Sequence, residues 1–163
     1  MTLTSFIEKL PSFSFLVEKA KSFEGESDYS SSSGVFTSND GTSLKWERVF
    51  WEDGAGNEAN LVLFPELEQA ILYGYDHESS FNYYDTDNEQ VIFTNLPVVL
   101  REFIESSMFH WSWATGDEAR TWATCAYWLN EEGQWEVSKA WKDVLNWDYD
   151  DGGSQYTLGR FLN

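Results

Sequence analysis

The segment from Ser43 to Trp51 alternates strictly, and turn-forming clusters bound it on both sides. Leu44, Trp46, Arg48 and Phe50 fall on one side of an extended chain; Lys45, Glu47, Val49 and Trp51 fall on the other. Asn39-Asp40-Gly41 precedes the run and Glu52-Asp53-Gly54-Ala55-Gly56-Asn57 follows it. A period of two between Asn/Asp/Gly clusters is the signature of a strand flanked by hairpin turns. The segment therefore reads as a strand, and antiparallel pairing with its sequence neighbours is expected.

The flanking segments extend the pattern. Residues 35–38 pair with the alternating strand across the first turn. Residues 60–64 form a short apolar strand ended by Pro65, and residues 71–75 and 91–94 read as further strands. A short helical turn fits residues 66–69.

Helical spacing occurs in two places. Phe13, Leu16, Val17 and Ala20 lie at i, i+3, i+4 and i+7, with Pro11 at the start and Gly25 at the stop. Val99, Leu100, Phe103 and Ile104 form a second stripe within residues 97–106, again opened by a proline. Residues 115–138 fit two patterns. Thr115-x-x-Glu118 resembles a capping box, but Asn130-Glu131-Glu132-Gly133 between two aromatic runs favours a hairpin. Residues 139–145 read as a short helix and 148–153 as a loop.

The expected fold is α+β: a single domain over residues 1–163, with an antiparallel meander packed against two or three short helices. Residues 25–34, with Ser30 to Ser33, read as a flexible serine-rich loop. Leu, Ile, Val and Phe make up 39 of 163 residues, above the level at which a highly charged chain stays unfolded. Nine Trp and eight Tyr add further burial. Seven of those Trp lie between Trp111 and Trp147 and are expected to form an aromatic core in the C-terminal half.

Charge carries the functional reading. The chain holds 28 acidic and 10 basic residues, a net charge of −18. Direct binding to nucleic-acid phosphates or to an anionic membrane needs positive patches, so neither is expected. The charge is also localised. Residues 49–100 contain no Lys or Arg but ten acids: Glu52, Asp53, Glu58, Glu66, Glu68, Asp76, Glu78, Asp85, Asp87 and Glu89. Trp51, Tyr73, Tyr75, Phe81, Tyr83, Tyr84 and Phe93 are interleaved with them, as core rings or as interface anchors.

Specific chemistry is harder to find. Asp85-x-Asp87-x-Glu89 fails as a calcium loop because Gln90 and Leu96 stand where Gly and Glu are needed. Asp148-x-Asp150-Asp151-Gly152-Gly153 starts better, but Gly159 occupies the distal Glu position. Two histidines, His77 and His110, and one cysteine make no zinc motif. Cys125 has no spacing relation to either histidine, and neither a nucleophile elbow nor a phosphate loop is present. No cofactor, no metal and no catalysis are expected.

Residues 1–10 lack the pattern of a secretory segment, and the single Cys125 cannot form an internal disulfide, so a cytoplasmic location is expected. The expected role is a non-enzymatic inhibitor of the immunity or antitoxin kind, neutralising a basic effector such as a toxin nuclease. Glu52, Asp53, Asp76, Glu78, Asp85, Asp87 and Glu89 would pair with Lys or Arg, while Trp51, Tyr83 and Tyr84 fill pockets. Two alternatives stand beside it. One is a nucleic-acid mimic that blocks a DNA-binding protein; the other is a small hydrolase or ligand-binding domain with a Trp- and Tyr-lined cleft.

Overall fold

Six strands form one antiparallel sheet in chain order, so each strand lies beside its sequence neighbour. The computed structural model describes residues 1–80, 92–106 and 123–162. The strands are β1 (Tyr29–Thr37), β2 (Ser43–Glu52), β3 (Glu58–Phe64), β4 (Gln69–Tyr75), β5 (Cys125–Leu129) and β6 (Trp135–Glu136). The helices are α1 (Leu3–Ile7), α2 (Phe13–Ser22), α3 (Val98–Glu105), α4 (Lys139–Val144) and α5 (Gly159–Leu162), with a π-helical turn at Ser154–Leu158. This is the α+β architecture expected from the sequence.

The sheet is covered on both faces, and β2 records the change of cover. Leu44 and Trp46 are buried on one face in its first half; Val49 and Trp51 are buried on the other in its second half. Phe103 of α3 covers the first face. Its ring centre lies 5.5 Å from Phe36, 5.9 Å from Trp46 and 5.0 Å from Phe64. The C-terminal segment covers the second face. There the Tyr127 hydroxyl donates to Ser154 Oγ at 2.8 Å, and Phe6 and Trp141 pack on the Tyr127 ring. With both faces occupied, β4 and β5 are buried at every residue. That is why residues 60–64 and 71–75 read as continuous apolar runs instead of alternating ones.

Local chemistry sets the helix ends. Ser12 caps α2 by accepting the Phe15 N–H, and Pro11 precedes the cap. Leu16 and Ala20 carry the buried stripe of α2. In α3, Pro97 stands at the N-cap, where a missing N–H costs nothing. The β5–β6 hairpin settles the ambiguous stretch where it is described. Asn130 Oδ1 accepts the N–H groups of Glu132 and Gln134, and Gly133 takes φ +74°. The Thr115–Glu118 pattern lies outside the described residues.

Two expectations are corrected. Tyr29 to Gly34 are not loop but the first part of β1, in register with Trp51 to Trp46. Serine has little intrinsic strand preference, and β2 imposes the extended state by offering a ladder. Gly34 serves the same pairing: the Trp46 indole lies across it, and a Cβ there would meet that ring at 2.8 Å. Ile92 and Phe93 are helical, not strand. Ile92 and Leu96 are both buried, a spacing of four that suits a helical turn.

Candidate functional site

A meander sends alternate turns to opposite ends of its sheet. The β2–β3 turn and the segment following β4 share one end, and the β3–β4 turn occupies the other. Four of the expected site residues, Glu52, Asp53, Asp76 and Glu78, are thereby brought to one end. Glu66 and Glu68 are carried to the other. The acidic stretch is thus divided in space. Tyr83, Tyr84, Asp85, Asp87 and Glu89 lie outside the described residues.

The acids at this end play two different roles. Asp53 accepts from the N–H groups of Ala55 and Asn57, from Asn57 Nδ2 and from the Tyr156 hydroxyl. Burial raises its pKa, but these hydrogen bonds outweigh burial and hold it at about 2. Asp76 accepts the Glu78 N–H. Asp150 accepts from Ser79, Ser80 and the Gly152 N–H, which lower its pKa against the opposing effect of burial. Asp151 accepts from Gly153 and Gln155. These carboxylates hold their loops in shape. Glu52 and Glu78, by contrast, point into solvent.

Two residues, His77 and Thr124, tie the loops together. His77 N–H donates to Asn57 Oδ1 at 3.1 Å, and His77 Nδ1 lies 2.9 Å from the same oxygen. Thr124 Oγ1 accepts the Asp76 N–H and donates to the Gly152 carbonyl, joining the C-terminal loop to the same end.

Trp51 is only 6% exposed. Its ring is covered by the Arg160 guanidinium at 4.6 Å and by the edge of Tyr156 at 6.0 Å. Tyr156 is the exposed ring of this group, at 47%. Tyr29, Gln155, Tyr156, Gly159 and Arg160 line an open cleft of about 380 Å³ beside it. Burial raises the Tyr29 pKa, opposed by nearby Arg160. Sequence reasoning did not single out Tyr156, because residues 154–162 show no periodicity of either kind. The Asp-Gly-Gly turn preceding them was the one available signal.

The opposite face of the sheet holds a polar row across three strands, half-buried at Arg48 and buried at Asn60 and Tyr73. Arg48 donates through Nε at 2.8 Å and through Nη2 at 2.5 Å to Asn60 Oδ1. Tyr73 is paired directly with Asn60; among the described residues no group meets full hydrogen-bond geometry at its hydroxyl, and the Arg48 side chain is the polar group that approaches it. Burial pushes its pKa up to about 12, partly offset by the Arg48 charge.

Cys125 is fully buried, and burial pushes its thiol up to about 12. The Gly74 carbonyl and Thr157 Oγ1 lie 3.9 Å from its sulfur, Ser154 also hydrogen-bonds it, and the nearby Asp151 charge raises its pKa further, so its surroundings disfavour the thiolate. Among the described residues no group of three His, Cys, Asp or Glu side chains is placed to hold a metal ion. No helix among them is long and apolar enough to cross a membrane. Comparisons with family models, with curated proteins and with solved structures returned no match.

Proposed function

We propose that this protein is a non-enzymatic binding module, an inhibitor of the immunity or antitoxin kind, that holds a basic effector against the acidic end of its sheet. One observation carries the reading. Glu52 and Glu78 come from separate segments and project from one end, on loops linked through His77 and Asn57. The carboxylates of Asp53, Asp76 and Asp150 beneath them are occupied in fixing those loops. A surface ordered in advance loses less entropy when it binds. A net charge of −18 steers a basic partner toward the protein and raises the association rate. Tyr156, held between Asp53 and the Arg160 guanidinium, supplies an aromatic contact at the rim.

Mimicry of a nucleic acid draws less support. It calls for carboxylates spaced along an extended row, whereas Glu66 and Glu68 lie at the opposite end of the sheet from Glu52 and Glu78. The test is capture of basic proteins on the immobilised chain at low and high salt, alongside the double variant Glu52→Lys/Glu78→Lys. A partner that is released by salt and lost by the variant is the expected result. A partner retained equally by both proteins at high salt would refute the electrostatic reading.

A further inference from the structure

Among the described residues, strand β1 is a sheet edge without the usual protection. An edge strand presents a row of N–H and C=O groups to any other extended chain, and proteins blunt it with charge, proline, a bulge or short length. The opposite edge, β6, has only two residues. β1 has nine, in unbroken register with β2, and contains neither a charged residue nor a proline. Ser30, Ser31, Ser32 and Ser33 are all exposed, and Val35 is 61% exposed. Small side chains leave the backbone open to approach.

The ladder determines which backbone groups face outward. Asp53 N–H donates to the Asn57 carbonyl at 3.2 Å, and Ser38 N–H donates to the Thr42 carbonyl at 2.9 Å. Hydrogen-bonded pairs alternate along an antiparallel ladder. Odd-numbered residues of β2 therefore bond toward β3 and even-numbered ones toward β1. In β1, Ser31, Ser33, Val35 and Thr37 then turn their N–H and C=O groups away from β2. The Tyr29 N–H is already taken by the Glu26 carbonyl at 3.3 Å.

We propose that β1 receives an extended, basic segment of a protein partner, which adds to the sheet as a further strand. Main-chain hydrogen bonds supply affinity in such an addition, and alternate side chains supply selectivity. The sign of the charge rests on the functional reading above and on the surroundings of β1. Glu47 is exposed directly across from Ser33, Glu26 and Asp28 lead into the strand, and Asp40 sits in the turn at its far end. Cations stand against these acids: Lys45 is exposed opposite Val35, the Arg48 guanidinium opposite Ser32 is engaged with Asn60, and Arg160 beside Tyr29 is stacked on the Trp51 ring. Pairing with a second copy would set Glu26 and Asp28 of one chain near Asp40 of the other, between molecules of charge −18 each. Charge complementarity therefore selects a basic segment over self-association.

The test uses the full chain and a short synthetic peptide of alternating Lys and Val, with an alternating Glu and Val peptide as control. Amide hydrogen exchange is followed residue by residue. Slowed exchange at Ser31, Ser33, Val35 and Thr37 with the Lys peptide alone is expected. Ser33→Pro removes one outward donor and leaves the β2 ladder intact; it should weaken binding about five- to tenfold, the worth of one net hydrogen bond. Ser33→Ala should bind like the native chain.

Slowed exchange at residues 52–53 and 76–78 with β1 unchanged would overturn the edge proposal and leave the acidic-end reading standing. Absence of peptide binding would overturn the edge proposal as well, while the acidic-end reading keeps its own charge-reversal test. Equal protection by the Glu peptide would overturn the basic occupant. Dimerisation abolished by Ser33→Pro would replace that occupant with a second copy.

Discussion

The Arg160 guanidinium lies over the Trp51 ring, 4.6 Å from its centre, and 5.3 Å from the centre of the Tyr156 ring. A residue of the last helix thus clamps the end of β2 from above. Arg160 is exposed, so the attraction is worth about 0.5–1 kcal/mol. Arg160→Ala should lower unfolding free energy by about that amount in urea titration. An unchanged midpoint would mean that the stack contributes nothing.

Tyr73 yields a prediction of the opposite sign. Among the described residues its buried hydroxyl has only the off-geometry approach of the Arg48 side chain, and a buried hydroxyl without a good partner costs about 1–3 kcal/mol in desolvation. Tyr73→Phe should leave the protein at least as stable as the native chain. A clear loss in thermal or urea unfolding would show that the hydroxyl has a partner worth keeping.

Gly74 must stay small. A Cβ there would run into Thr157 Oγ1 and would lie 3.3 Å from Cys125 Sγ, both fully buried. Forcing extra volume into such a site costs about 1–3 kcal/mol, occasionally more. Gly74→Ala should lower the urea midpoint accordingly, and Gly74→Val should lower it further. Equal stability of all three proteins would mean that the C-terminal turn shifts aside freely.

Asp53 sets an acid limit. Its folded pKa of about 2 lies below the ordinary 3.8, so its stabilising contribution is complete above that ordinary value and is lost as pH falls through about 2. Asp53 is half-buried and solvent screens part of these interactions, so the effect is modest. Asp53→Asn should flatten the dependence of unfolding free energy on pH in the range from about 4 to 2. Identical pH curves for the two proteins would remove Asp53 from the acid transition.

The strands from Ser43 to Trp51 and over residues 60–64 and 71–75 were legible because period and turn residues agree on them. Pro11 marked the entry to α2 equally well, although the cap itself is Ser12. Ser30 to Ser33 were not legible, because their extended state comes from the β2 ladder and not from serine. Trp51 shows another limit. Alternation placed it on a face, but the cover over that face comes from Arg160 and Tyr156, more than one hundred residues away. The carboxylates posed a third difficulty. An Asp that closes its own turn, such as Asp53 or Asp151, and a Glu that faces solvent, such as Glu52 or Glu78, contribute equally to net charge. Only the hydrogen bonds separate them.

The chain-order sheet also shapes how the protein must fold. The β1–β2, β2–β3, β3–β4 and β5–β6 pairs are hairpins whose closing loops are short, so each can zip up locally and quickly. The β4–β5 pair is different: residues 76–124 separate Tyr75 from Cys125. Joining those strands carries the entropy of closing a long loop before any contact repays it. Bringing the two blocks, β1 to β4 and β5 to β6, together is therefore expected to be the slow step. Substitutions along the Gly74–Cys125 seam should slow refolding more than substitutions inside either hairpin block.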